Sequence, residues 1–299
     1  MSNGRIAELP SRGVVAVSGS DAAAFLDNLF TTDVSKAGRE NAVYGGLLTP
    51  QGKILFDFIV FSDGSRYLVD ISRALVPDFV KRLGFYKLRA KVEIVDLTGE
   101  RIIVAAWGGE GAPVLDGPVA PDPRLAALGY RAVVPPGADM APDYTEATES
   151  DYRAHCIALG VPEGGIDFTY GDAFPHDAAM DQLHGVDFRK GCYVGQEVVS
   201  RMEHRGTARR RPVLARAATT LPAAGSPVTA GDMPVGAIGS ASGNLGVALV
   251  RLDRAREAMD AGVPLMAAGA PVELAIPAWA NFDWPKAAQP ANEEPVTRQ

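Results

Sequence analysis

Sulfur is scarce in this chain: among its 299 residues only Cys156 and Cys192 are cysteines. Two thiols far apart in sequence make neither a zinc framework nor a disulfide scaffold. They are also too few to hold a conventional iron–sulfur cluster alone, because such clusters take four thiolates. Histidine is scarce as well. His155, His176, His184 and His204 show no HxxxH or HxH spacing, so no metal site built by this chain alone is expected. No run of about 18 apolar residues occurs, and no membrane span or membrane partner is expected. Positive charge is in deficit, with 29 basic residues against 36 acidic ones and a net charge of −7. That balance argues against a nucleic-acid partner, since phosphate binding needs clustered cations. Residues 1–8 lack an apolar signal core and carry an acid early, which gives a cytoplasmic expectation.

What is present describes an ordinary globular protein. Apolar residues make up 47% and charged residues 22%, enough to bury a sizeable core, and the length allows about two domains. In the first half strands alternate with helices. Phe25, Leu26, Leu29 and Phe30 recur at helical spacing after Ser20, a plausible cap. Residues 54–61 form an apolar strand, and Asp63-Gly64 turns the chain into a second strand at 67–71. A helix is predicted near 74–83, strands at 86–95 and 101–107, and a helix near 146–159. A further helix spans 197–204. After Pro212 short Val/Ala/Ile/Leu runs separated by Gly and Pro predict a small β-barrel, and residues 286–299 read as a disordered tail.

The segment Lys190-Gly191-Cys192-Tyr193-Val194-Gly195-Gln196-Glu197 concentrates chemistry. Cys192 lies between glycines, after a lysine and before a helix, and a cation or a helix N-terminus lowers a thiol pKa. The alternative is a small buried cysteine on a tight turn. Asp57 stands alone among apolar neighbours, on the strand face of Leu55, Ile59 and Phe61. It is either a hydrogen-bonded structural acid or a carboxylate facing a pocket. Glu163, in Pro162-Glu163-Gly164-Gly165, is an exposed turn acid or an acceptor for a two-donor ligand edge. Lys87, Arg89 and Lys91 alternate along a predicted strand and share one face, solvated or anion-holding. Arg201, Arg205, Arg209, Arg210 and Arg211 fall within eleven residues, as a soluble helix flank or a docking surface.

KGCYVGQE, with Arg201 and His204-Arg205-Gly206 after it, resembles the signature of the YgfZ-type folate-binding proteins. These are iron–sulfur cluster assembly and repair factors related to the glycine cleavage T-protein, an aminomethyltransferase. Residues 15–26, Leu47-Leu48-Thr49-Pro50-Gln51-Gly52-Lys53-Ile54, residues 86–92 and Val235-Gly236-Ala237-Ile238-Gly239-Ser240 are similar to other family blocks, so the likeness covers roughly residues 10–285.

The resemblance implies an α+β fold, a ring-like arrangement of T-protein-type modules over residues 1–211 with a C-terminal β-barrel over 212–285. It implies that tetrahydrofolate or a one-carbon derivative binds in the central opening. Glu163 would hold the pterin and Asp57 would face it, with Lys87, Arg89, Tyr193, Gln196 and Arg201 completing the folate-binding set. Cys192, aided by Lys190, would be the working thiol and the contribution to any iron–sulfur cluster shared with a partner. The implied function is maturation or repair of iron–sulfur proteins, with assembly or client proteins as partners. In aminomethyltransferases an Asp-Asp pair occupies the positions of Phe56 and Asp57. The missing carboxylate counts against methylene transfer, which stays as one alternative. A non-catalytic folate-binding docking module, including one serving tRNA modification, is the other.

Overall fold

The computed structural model describes residues 4–206 and 208–285; the predicted tail at 286–299 lies outside the described residues. The chain opens with β1 (Gly4–Glu8) and β2 (Arg12–Ser18), followed by α1 (Ala22–Asp27), β3 (Val43–Leu48), β4 (Ile54–Ser62) and β5 (Tyr67–Ser72). Next come α2 (Val76–Lys87), β6 (Glu93–Asp96), β7 (Ile102–Trp107), β8 (Val119–Pro121), β9 (Tyr130–Val134), β10 (Tyr144–Glu146) and α3 (Glu149–Ala158). The last third holds α4 (Gln196–Arg205), β11 (Arg210–Ala217), β12 (Pro227–Ala230), β13 (Met233–Ser242), β14 (Leu245–Arg251), α5 (Leu252–Asp260), β15 (Leu265–Ala267) and β16 (Ala270–Ala275).

The strands form two five-stranded sheets and a closed barrel. One sheet has the order β3-β4-β5-β2-β6, the other β10-β1-β7-β9-β8, and the barrel runs β11-β14-β13-β12-β15-β16, with β16 pairing back to β11. This is the expected α+β architecture with its C-terminal barrel. The predicted boundary at Pro212 falls inside β11, because the strand begins at the charged pair Arg210-Arg211, which composition alone marks as loop.

β4 explains how the first sheet is held. Seven of its nine residues are buried, as expected for a strand covered on both faces. Phe56 and Phe58 pack with Phe30 and Phe79 on the helix-covered side, at ring separations of 4.3–6.2 Å. Burying each such ring stabilises the fold by roughly 1.5–3 kcal/mol. Ile59 and Phe61 point the other way, into a core shared with Ile103, Ala105 and Trp107 of the second sheet. The two sheets therefore face one another, and polar residues on these inner faces meet in the interior.

Two local expectations are corrected. The predicted strand at 86–95 exists only as Glu93–Asp96, because Phe79 and Leu83, buried one turn apart, carry α2 on to Lys87. Lys87 and Arg89 thus share no strand face. Ser20 does not cap α1; the N-cap is Asp21, without a side-chain capping bond, and the Ser20 hydroxyl donates to Asp21 instead.

Candidate functional site

Asp57 is a buried carboxylate, 9% exposed, opposite Gly46 on β3. Tyr170 donates to its Oδ1 at 2.5 Å and Tyr44 to its Oδ2 at 3.2 Å. Burial first, and then the nearby Asp57 charge, raises both phenol pKa values far above the ordinary value, so both hydroxyls stay protonated and donating. The Pro162–Gly165 turn closes on this acid. A side chain at Gly164 would strike the Tyr170 hydroxyl and lie 2.8 Å from Asp57 Oδ1. The fold therefore brings Asp57 and the Glu163 turn together.

Beside them lies a cavity of about 450 Å³, counted with its open mouth, lined by four arginines: Arg12, Arg124, Arg131 and Arg153. Asp70 stands across from Ile59, hence on the Asp57 face, and takes Arg12 Nε at 2.6 Å. Arg12 loses hydration on burial, but Asp70 and Asp57 outweigh that loss and raise its pKa. Just after β8 of the second sheet, Asp122 accepts a two-pronged contact from Arg124 at 2.9 and 2.7 Å. Burial pushes the Asp122 pKa up, yet Arg124 and Arg131 prevail and hold it below its ordinary value. Arg131 bridges the sheets, 3.6 Å from Asp70 and 3.7 Å from Asp122. It is 4% exposed, and its Nε and Nη1 have no hydrogen-bond partner.

Arg153 and Glu163 stand at the mouth, each 38% exposed. The guanidinium fork takes both Glu163 oxygens, at 2.9 and 3.1 Å. Asp167 anchors the same turn: it accepts the Glu163 backbone N–H at 2.6 Å and both the N–H and hydroxyl of Ser240 in β13. Burial raises the Asp167 pKa to about 6, against the pull of these bonds. Cys156 also lines the cavity. Burial pushes its thiol up to about 11, which makes it inert at neutral pH.

The cysteine segment is built differently. Cys192 is exposed, yet its neighbours are fixed. The Lys190 side chain is 2% exposed; its ammonium donates to the carbonyls of Asp27 and Phe30 and lies 3.3 Å from the Asp27 carboxylate. The lysine charge is thus held at the C-terminal end of α1. Tyr193 is 7% exposed and packed in the inter-sheet core, and burial pushes its phenol up to about 12. Gly195, the residue before α4, adopts φ +83°. A Cβ there would lie 2.5 Å from the Thr49 carbonyl and 3.1 Å from Gly52 Cα. The Cys192 motif and the Thr49–Lys53 hairpin turn therefore meet glycine to glycine, and only glycine permits that approach.

The arginine cluster separates. α4 ends at Arg205, with Gly206 in the left-handed conformation, so Arg209 does not continue the helical face. Arg201 pairs with Glu197 on the exposed side at 2.7 Å. Arg210 and Arg211 instead hold Asp177 at 2.9 Å and Asp181 at 2.6 Å. Gln196 opens α4. Lys87 and Arg89 do not line the arginine cavity. The fold also assembles a group that sequence spacing missed: ligand atoms of His176, Asp181 and Glu203 lie within 4.8 Å of one another. The Arg211 fork already occupies both Asp181 oxygens, at 2.6 and 2.9 Å. Arg12, Arg124, Arg131 and Tyr170 likewise meet only through the fold. Their one signal was Arg12, a cation at the head of the apolar run Gly13–Val17.

Comparison with known proteins fits this architecture. Residues 3–136 match the GCVT N-terminal domain and residues 209–282 the CAF17 C-terminal beta-barrel domain. The chain is 37% identical over 226 residues to the iron-sulfur cluster assembly factor IBA57 homolog, mitochondrial, of Mycosarcoma maydis, covering 70% of this chain and 56% of that protein. It is 33% identical over 228 residues to the protein of the same name from Neurospora crassa, covering 69% and 52%. The chain thus spans about half the length of these relatives. Its fold is similar to the glycine cleavage system aminomethyltransferase T of Bartonella henselae, with a TM-score of 0.72 and 16% identity over 93% of this chain and 87% of that one.

The cytoplasmic expectation is corrected by these relatives, which are named as mitochondrial. It rested on the composition of eight residues, whereas compartment is set by receptor-read addresses that the fold does not encode. With a GCVT-type domain, a CAF17-type barrel and IBA57 homologues among its relatives, the chain is similar to the CAF17/IBA57-type family.

Proposed function

We propose that the protein is an iron–sulfur cluster assembly factor that offers Cys192 to a cluster shared with an assembly or client protein, in the manner implied by its YgfZ-type signature. One observation carries the reading. Cys192 is an exposed thiol on a segment fixed by a buried lysine, a buried tyrosine and a glycine-to-glycine contact. A fixed, accessible thiol loses little freedom when it joins a ligand sphere. Cys156 is a poor second ligand, because its thiolate is unfavourable at neutral pH. The remaining thiolates must come from a partner, so the cluster is the cargo of a complex. The test is the activity of cluster-dependent enzymes in cells lacking the protein. Cys192→Ser should accumulate normally and fail to restore that activity, and full restoration would remove the thiol from the mechanism.

Tetrahydrofolate is the second part of the proposal. When bound, it would supply one-carbon carrier chemistry. Glu163 and Asp57 would hold the pterin, with Glu163 accepting from its amide and amino N–H groups. That edge has the same two-donor pattern as the guanidinium fork now on Glu163. The residues therefore fit the group only with Arg153 withdrawn. Glu149, one turn earlier on α3 and on the same cavity wall, already accepts from Ser11 and is the acid that would receive it. Methylene transfer is the weaker reading, since Phe56 packs against Phe79 on the side away from Asp57.

A further inference from the structure

The turn after α2 belongs to none of the functions above, and it breaks three rules at once. Phe85 and Leu88 are 65% and 89% exposed, where large apolar side chains usually find cover. Leu88 has φ +40°, a backbone region that a residue with a Cβ rarely occupies. Between Asp78 and Glu93 the chain carries Lys81, Arg82, Lys87, Arg89 and Lys91 and no acid, although the whole protein is acidic. All five cations are exposed. Among the described residues none of the five forms an ion pair. Asp21, the acid beside this turn, accepts the backbone N–H of Lys91 at 2.8 Å.

The turn is held in this shape. Its base is anchored by Leu83 and Val92, which are 0% and 5% exposed. Its path is fixed by bonds from Ala90 N–H to the Lys87 carbonyl at 2.7 Å and from Val92 N–H to the Ala90 carbonyl at 2.9 Å. A fixed turn thus presents an unfavourable backbone and two apolar tips left mostly in water. Strain of this kind persists where function uses it.

We propose that this turn is a peripheral docking element for an anionic lipid surface. Apolar tips flanked along the chain by exposed cations match the acyl–headgroup boundary, where the tips leave water and the cations meet phosphates. The two tips stand largely in water, which favours a surface that deforms around them over a partner needing a preformed pocket. No helix of the described residues is long and apolar enough to cross a membrane, so the contact is one of surface association.

The test is co-sedimentation of the full chain with phosphatidylcholine vesicles, with and without about three in ten phosphatidylglycerol lipids. The wild type should sediment with the anionic vesicles and at least about tenfold less with the neutral ones, and about 0.5 M salt should release it. Leu88→Glu and Phe85→Glu should each lower the partition about tenfold with unchanged thermal unfolding, because both side chains are already exposed. The triple change Lys87→Gln, Arg89→Gln, Lys91→Gln should weaken binding while keeping both tips. Absence of wild-type binding to anionic vesicles would overturn the proposal, as would binding that Leu88→Glu leaves intact. Capture of a purified acidic protein through Leu88 without any vesicle binding would overturn it in favour of protein docking.

Discussion

The arginine cavity and the Cys192 segment handle polar chemistry in opposite ways. In the cavity, charge is internally matched: Arg12 with Asp70, Arg124 with Asp122 and Arg131 between the two acids lie largely buried, and Arg153 pairs with Glu163 at the half-exposed mouth. At the cysteine segment the reactive atom is outside and its supports are inside. Groups of the second kind can meet a large partner, and groups of the first kind only a ligand small enough to enter. A thiol that must join a cluster on another protein has to be at the surface. A carboxylate that is to recognise a pterin edge gains strength from shielding, which Asp57 has in full and Glu163 in part.

The contrast predicts that stability and function respond in opposite order. Asp70→Ala should be the most damaging change to the fold. Asp70 is fully buried between Arg12 and Arg131, and removing one partner from such a group leaves uncompensated charge at a cost of about 3–5 kcal/mol. Urea unfolding would measure it, and a loss under about 1 kcal/mol would mean that the cluster is far wetter than its burial implies.

Asp167 gives a pH signature. Its native pKa of about 6 exceeds the unfolded value of about 3.9. The native state therefore binds the proton more tightly, and the Asp167 contribution declines as pH rises from about 4 to about 6. Relative to Asp167→Asn, the wild type should lose ~3 kcal/mol across that window, the free energy of about two pKa units. Paired urea titrations at several pH values would read the difference. Arg153→Ala should cost less than about 1 kcal/mol, since the pair is partly exposed. Freeing Glu163 should tighten tetrahydrofolate about tenfold, or ~1.4 kcal/mol, in calorimetric titration. Tighter binding by the variant supports both pterin site and competitor. Binding by wild type alone would remove Arg153 from the competition, and binding by neither would remove folate.

Much of the frame was legible because local pattern and tertiary packing agree. The β4–β5 hairpin, α4 and the barrel each follow from alternation, turn residues or helical spacing that the core then uses. The 86–95 segment departs from the strand expectation because its alternation of cations is equally compatible with a helix end and a turn, and only the buried Phe79 and Leu83 settle which forms. Asp57 was legible as a lone acid in an apolar strand. Its partners Tyr44 and Tyr170, and the ionic links through Arg12 and Arg131, were not, because they join residues from separate elements across facing sheets. Cys192 was legible from its motif, whereas the commitment of Lys190 to Asp27 and Phe30 depends on a contact across some 160 positions.

Cys192→Ser should change stability least of all, by within about 0.5 kcal/mol, and function most. The direct measurement is the visible absorption of an iron–sulfur cluster formed when the protein is mixed, under reducing conditions, with a cluster-loaded assembly protein, and isolated as a complex. The wild type should give a complex whose cluster spectrum differs from that of the loaded partner alone, and Cys192→Ser, with the same thermal unfolding, should give none. An identical spectrum and yield from the serine variant would contradict the account and leave the exposed thiol without the role assigned to it.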